Sequence, residues 1–137
     1  MTTTTSVALT DSAKDILSKQ TFGHLTTLMP DGSPQVTPVW TDFEGDDVVI
    51  NTAEGRTKPR NMRNDPRVAF SATDPDNPYE AVIIRGHVRE MTHEGADEHI
   101  NLMAKKYLGK DEYPFRQPGE ERVKVYIEPE SVKGANE

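Results

Sequence analysis

The sequence predicts a mainly β domain, a small closed β-barrel of six strands with a few peripheral α-helices. Six short segments alternate apolar and polar residues, and clusters of Gly, Pro, Asp and Asn separate many of them. Such alternation is typical of strands that bury one face, and such clusters are typical of tight turns. A barrel is the expected architecture because closure pairs the edges of many short strands.

Three helices are expected beside these strands, with the approximate bounds 10–19, 59–66 and 92–109. Thr10 or Asp11 is the expected N-cap of the first helix, because apolar residues then recur at helical spacing. Thr92 is expected to cap the third helix, and Gly109 is expected to end it.

The six strands are expected at residues 22–29, 35–43, 47–52, 67–73, 79–91 and 122–128. Turn signals at Asp31-Gly32 and at Gly45 separate the first three strands, which are therefore expected to form a meander. Pro38 lies inside the second strand and indicates a sheet edge or a bulge, because proline cannot donate to a ladder. Gly86 in the fifth strand indicates a bend or the close approach of another group.

All 137 residues are expected to form one domain, with frayed ends at 1–8 and 130–137. Hydrophobic residues make up 34% of the chain and aromatic residues 7%, so a lone monomer would have a thin core. Burial of a shared interface would compensate for this, and a homodimer is therefore expected.

Composition argues against two kinds of partner. Residues 1–6 do not have the pattern of a signal peptide, and no apolar run approaches the roughly 20 residues that a membrane helix needs. A cytoplasmic protein without a membrane partner is therefore expected. Nucleic acid is not expected as a partner, because the net charge is −7 and phosphate neutralisation dominates that kind of binding.

Positive charge is concentrated in residues 56–67. This segment holds five of the 16 basic residues and a single acidic one, which gives it a net charge of +4. An acidic protein that concentrates cations in one short segment is expected to hold a localised anion there. The alternative is a basic helix face that only contacts solvent.

The order of residues in the same segment predicts an anion site at a helix N-terminus. Pro59 suits the first turn of a helix and Pro66 ends it, so the helix has about two turns. Arg56, Thr57 and Lys58 then lie where backbone N–H groups are free. These groups and the positive end of the helix dipole favour phosphate or carboxylate.

No catalytic side chain is identified in the sequence. Cysteine, a Gly-x-Ser-x-Gly nucleophile elbow, a Walker loop and a Gly-x-Gly-x-x-Gly fingerprint are all absent. The four histidines include no pair at a spacing of two or four, so no metal site is expected. If the protein is an enzyme, a bound cofactor is expected to supply the chemistry.

A set of motifs runs in order along residues 10 to 130. They are LTTL at 25–28, DG at 31–32, PQVTPVW at 34–40, VINT at 49–52, GRTK at 55–58 and NDPRV at 64–68. In this order they resemble the split β-barrel flavin-binding superfamily, whose best-known members are pyridoxamine 5′-phosphate oxidases. The continuation DPDNPY at 74–79 and IRGHV at 84–88 is similar to the branch that uses the deazaflavin coenzyme F420.

This resemblance implies a homodimer with two cofactor sites at the subunit interface and a small-molecule substrate. The cofactor phosphate would lie against Arg56 and Lys58, the ring would lie along the second strand, and Tyr79 of the partner subunit would close the pocket. A core or dimer role for Trp40 and a salt bridge for Arg85 are open alternatives. The implied cofactor-binding residues are Val36, Thr37, Pro38, Val39, Trp40, Thr52, Arg56, Thr57, Lys58, Arg60, Asn61 and Tyr79.

The expected function is that of an F420-dependent oxidoreductase, with hydride transfer between C5 of the deazaflavin and a small conjugated substrate. Arg60 and Arg63 would suit the oligoglutamate tail of F420, which FMN lacks. The alternatives are an FMN-dependent enzyme similar to pyridoxamine 5′-phosphate oxidase and a non-catalytic protein that binds F420 or a flavin. A basic-helix interaction protein without a cofactor is the remaining alternative.

Overall fold

The structure, a computed structural model, describes residues 6–135, and the predicted fraying of residues 1–5 and 136–137 lies outside the described part. Within it the chain forms seven antiparallel strands and three helices, which confirms the mainly β prediction. The strands are β1 Phe22–Leu28, β2 Pro34–Trp40, β3 Asp42–Glu44, β4 Asp47–Ala53, β5 Arg67–Asp74, β6 Asn77–Thr92 and β7 Arg122–Gly134. The helices are α1 Asp11–Ser18, α2 Thr57–Asn64 and α3 Ala96–Leu108.

The strands form one curled sheet in the order β2-β1-β5-β6-β7-β4-β3. The predicted strand 35–43 is two strands, because the backbone leaves the ladder at Thr41. The Thr41 N–H donates to the Tyr107 hydroxyl at 2.8 Å, and the Thr41 hydroxyl donates to the Leu17 carbonyl at 3.1 Å. Both predicted hairpins form, β1 with β2 and β3 with β4, but the continuous meander does not, because the break at Thr41 leaves β2 and β3 at opposite edges of the sheet.

The core fills the inside of this curled sheet. Inward residues of β4 and β7 alternate with outward ones, as in Val48 and Ile50 opposite Val125 and Ile127, and all four are fully buried. Ile16 and Leu17 of α1 pack into the same cluster. Alternation along the strands therefore predicted the buried face correctly.

Gly86 lies within the long strand pair β6–β7. The pairing register shifts between Arg85 and Gly86, and a Cβ atom at position 86 would collide with the Glu128 carbonyl. The predicted close approach of another group is therefore confirmed, and the predicted bend stays a prediction. β7 continues to Gly134, which pairs with Val82, so residues 130–134 are ordered by pairing rather than frayed as predicted.

The helix termini follow from local capping. The Thr10 hydroxyl accepts the Ala13 N–H at 3.0 Å and caps α1. The predicted cap at Thr92 is wrong, because β6 runs to that residue and α3 begins after Gly95, whose φ of 74° makes the turn. No helix within residues 6–135 is long and apolar enough to cross a membrane.

Candidate functional site

A cavity of about 220 Å³ opens between the end of β2 and the start of α2. Residues from the start of β7, from α3 and from the loop that follows α3 complete its lining. Its walls have two kinds of surface, one aromatic and apolar and one cationic. The lining residues are Phe22, Pro38, Val39, Trp40, Asn51, Arg56, Lys58, Ile100, Met103, Tyr113, Phe115 and Arg122.

The cationic wall consists of Arg56, Lys58 and Arg122. Arg56 is the N-cap of α2, and Lys58 lies in its first turn. Lys58 is half-buried and makes no hydrogen bond or ion pair with any residue of the described range 6–135. Burial, and then the charges of Arg56 and Arg122, lower the pKa of Lys58 below its usual value. A cation in this position is electrostatically unsatisfied until an anion enters.

Arg122 is 4% exposed and is held by three neighbours. Its Nε donates to Asn51 Oδ1 at 2.9 Å, and one terminal nitrogen donates to Glu120 Oε1 at 3.1 Å. Its guanidinium lies 5.1 Å from the centre of the Tyr113 ring. Burial lowers the pKa of Arg122, although the guanidinium keeps its charge at any physiological pH.

Asn51 connects Arg122 to a buried histidine. Its amide nitrogen donates to the Ala96 carbonyl at 2.9 Å and lies 3.1 Å from His99 Nδ1. Since Asn51 donates there, His99 Nδ1 accepts, and His99 Nε2 donates to Asp42 at 2.9 Å. The chain of bonds from Asp42 to Asn51 fixes which end of the amide faces Arg122.

The second wall of the cavity is aromatic. The Trp40 ring stacks on Tyr107 with centroids 4.9 Å apart and planes 5° apart, and Tyr113 meets Trp40 edge-on at 6.1 Å. Tyr113 in turn packs edge-on against Phe115. Ile100 and Met103 of α3 add apolar surface. A flat ring with an anionic substituent matches a cavity that is aromatic at one end and cationic at the other.

Five of the twelve residues predicted to bind a cofactor line this cavity. Pro38, Val39 and Trp40 come from β2, and Arg56 and Lys58 come from α2. Trp40 lines the cavity and also packs on Tyr107, so its pocket role stays a prediction.

The other seven predicted residues do not line the cavity. Asn61 is 3% exposed and donates to the Thr27 hydroxyl at 3.0 Å, so its side chain faces the barrel interior rather than a phosphate tail. Thr52 is fully buried, on the face of β4 that also carries Ile50. Tyr79 is 84% exposed at the start of β6, and its contact with a partner subunit stays a prediction. The remaining four are Val36, Thr37, Thr57 and Arg60.

Arg63 is not a free cation, contrary to the sequence-based expectation. Its two terminal nitrogens donate to both carboxylate oxygens of Glu54, at 2.5 and 2.7 Å. Arg63 is the main reason that the pKa of Glu54 falls to about 2, and His93 contributes less. Of the two arginines assigned to a cofactor tail, Arg60 alone is without such a pairing in the described residues.

Asn51, Arg122, Glu120 and the aromatic residues Tyr113 and Phe115 were missed by sequence reasoning. Arg122 does carry a signal, because it opens a strand whose alternation places Val123 inward and Arg122 on the opposite face. Helix α3 covers that face. An arginine buried there indicates a binding site, because a buried charge is costly unless it is paired.

His99 also meets two carboxylates, which its spacing in the sequence did not predict. One ligand atom each of Asp42, Glu44 and His99 lies within 4.8 Å of the others. Glu44 accepts from Lys124 at 2.6 Å, and the proton on His99 Nε2 faces Asp42. The group is hydrogen-bonded and ion-paired as it stands, and the expected absence of a metal stays a prediction.

Comparison with known proteins places these features in a family. The family described as pyridoxamine 5′-phosphate oxidase matches residues 9–135, and no curated protein sequence matches the chain. A solved structure described as an F420 reductase is 28% identical, with a TM-score of 0.78 over 91% of this chain and 98% of that one.

Two further solved structures share the fold at lower identity. A conserved hypothetical protein from Mycobacterium tuberculosis is 22% identical, with a TM-score of 0.71 over 98% of this chain and 89% of that one. General stress protein 26 from Bacillus anthracis is 17% identical, with a TM-score of 0.69 over 92% of each chain. These two similarities establish the fold alone.

Proposed function

This chain belongs to the pyridoxamine 5′-phosphate oxidase family, and on that basis we propose that it is an F420-dependent oxidoreductase acting on a small conjugated organic substrate. The main support for the proposal is a cavity that has an aromatic wall and three cationic side chains. The similarity to an F420 reductase favours deazaflavin over flavin.

The donor set of the cavity fits the phosphate of such a cofactor. Lys58 is half-buried without a partner in the described residues, and Arg56 and Arg122 stand on either side of the same space. The first N–H groups of α2 are free as well, because its N-cap Arg56 makes no side-chain capping bond. A phosphate there would accept several charge-assisted hydrogen bonds.

The aromatic wall and the edge of β2 fit the ring. β2 is an edge strand of the described sheet, so one side of its backbone is not used in the ladder with β1. Free N–H groups on that side would donate to the pyrimidine edge of the ring and stabilise negative charge there. Bound F420 supplies hydride transfer at C5. The apolar side chains of Ile100 and Met103 would keep water from this end of the cavity.

We expect the protein to bind F420 at least tenfold more tightly than FMN, a difference of about 1.4 kcal/mol. The physical reason is that F420 carries further anionic groups beyond its phosphate, and Arg60, about one turn along α2 from Arg56, is exposed. Trp40 is the single tryptophan of the chain and lines the cavity, so its fluorescence reports binding of either compound. Equal affinities, or tighter binding of FMN, would favour the FMN-dependent alternative.

The functional unit is proposed to be a homodimer with a small-molecule site at each interface. Large apolar side chains are exposed on the single chain, among them Val36, Tyr79 and Ile83. Light scattering at micromolar concentration should therefore give twice the chain mass of 15.3 kDa. A monodisperse monomer that still binds F420 fully would contradict the interface site.

A further inference from the structure

We propose that Glu120 reduces the preference of the cationic wall for a phosphomonoester dianion over a phosphodiester monoanion. The inference rests on the proposed function where it assigns that anion to a cofactor. F420 holds its phosphate as a diester, whereas FMN ends in a monoester. Glu120 would then be a specificity-determining residue that acts on the anion through its charge.

Glu120 is placed directly behind the cationic wall. Its side chain is 8% exposed, and its Oε1 accepts from Arg122 at 3.1 Å and lies 3.4 Å from a terminal nitrogen of Arg56. Its Oε2 is buried without a hydrogen-bond partner in the described part of the chain. A buried carboxylate with one oxygen unsatisfied is unusual, because the unmade bond is costly. Glu120 lies between Arg56 and Arg122, and this position gives it a role as a negative charge held beside the cavity.

The position of Glu120 lowers the net positive charge that an anion in the cavity meets. Arg56, Lys58 and Arg122 contribute three positive charges, and Glu120 reduces their sum to +2. Glu120 repels any anion in the cavity, and the repulsion grows in proportion to the charge of that anion. A dianion is therefore disfavoured about twice as strongly as a monoanion at the same place. The arginines keep the same positions for either ligand. The Glu120 carboxylate therefore affects which anion is preferred more than it affects the shape of the cavity.

Replacement of the carboxylate by its neutral isostere tests the proposal. Glu120→Gln keeps an oxygen acceptor for Arg122 and removes only the charge. The probes are phenyl phosphate, a dianion at pH 8, and methyl phenyl phosphate, a monoanion, followed by quenching of Trp40. We expect Glu120→Gln to shift the ratio of the two dissociation constants at least about tenfold in favour of phenyl phosphate. Glu120→Asp, which retains the charge, should keep the wild-type ratio.

Glu121 supplies a matched control. Its side chain is mostly exposed beside His93, and Glu121→Gln changes the net charge of the chain by the same amount. The control should leave the ratio unchanged, because an exposed charge is screened by solvent and salt.

The outcomes separate this inference from the proposed function. A ratio that is equal in wild type and Glu120→Gln overturns the inference, as does a wild-type protein that binds neither phenyl ester. A shifted ratio supports it. If the ratio shifts while F420 and FMN both fail to bind, the assignment of Glu120 stands and the proposed cofactor is wrong.

Discussion

Replacing Lys58 with alanine is expected to weaken F420 binding by about 1.5–3 kcal/mol, the usual contribution of a hydrogen bond to a charged group. Among the cations of the cavity, Lys58 makes no ion pair with any described residue. Its charge is therefore available to the ligand phosphate. Titration of Trp40 fluorescence with F420 would measure the loss. The unliganded variant should be at least as stable as the wild type, because crowding with Arg56 and Arg122 is relieved.

Arg63→Ala is the matched control for this change. It removes a cation from the same helix, but that cation is bound to both oxygens of Glu54 and lies outside the cavity. Its effect on F420 affinity should be smaller than that of Lys58→Ala. If Lys58→Ala binds as the wild type does while Arg63→Ala does not, the phosphate lies elsewhere and the basic helix only contacts solvent at Lys58.

The pH dependence of binding has a defined sign. The pKa of Lys58 is lowered in the unliganded fold, chiefly by burial, so the ammonium loses its proton more readily than an ordinary lysine. A bound anion favours the charged form, and binding therefore takes up a proton wherever free Lys58 is partly neutral. F420 affinity should fall as the pH rises through this lowered pKa, and Lys58→Ala should lack that fall.

Local sequence was enough to place Arg56 and Lys58 at the N-terminus of α2. Pro59 and Pro66 constrain the helix regardless of tertiary context, so Arg56 and Lys58 had to stand at its N-terminus. The same reasoning overestimated Arg63, because its partner Glu54 precedes the helix and pairs with it only once the turn at residue 55 is formed. Charge counting along a segment cannot detect such pairing.

The contact between Asn51 and Arg122, which sequence reasoning missed, depends on long-range strand pairing. Asn51 meets Arg122 because β4 pairs with β7, strands that are about 70 residues apart in the chain. The predicted meander kept the strand 35–43 whole between its two neighbours, and it did not include the pairing of β4 with β7. Turn signals identify where strands end, but they do not identify which strands become neighbours when a sheet curls.

Asn51→Leu is expected to be the most destabilising change at the site, with a loss of about 3 kcal/mol or more in the free energy of unfolding. Leucine branches as asparagine does but leaves two buried groups without a partner, Nε of Arg122 and Nδ1 of His99, and it removes the side-chain bond to the Ala96 carbonyl. The unpaired group on Arg122 is the most costly of these, because it belongs to a buried charge. Denaturant unfolding followed by circular dichroism would measure the change.

Two further variants make this last result interpretable. Asn64→Leu, at the exposed end of α2, introduces the same side chain without burying it and should stay within about 0.5 kcal/mol of wild type. Asn51→Asp keeps an oxygen for Arg122 but turns a carboxylate oxygen toward the Ala96 carbonyl, so its stability should lie between those of wild type and Asn51→Leu. Asn51→Leu should also weaken F420 binding, since Arg122 loses the bond that orients it. A stable Asn51→Leu protein with normal affinity would mean that packing against Tyr113 and pairing with Glu120 hold Arg122 by themselves.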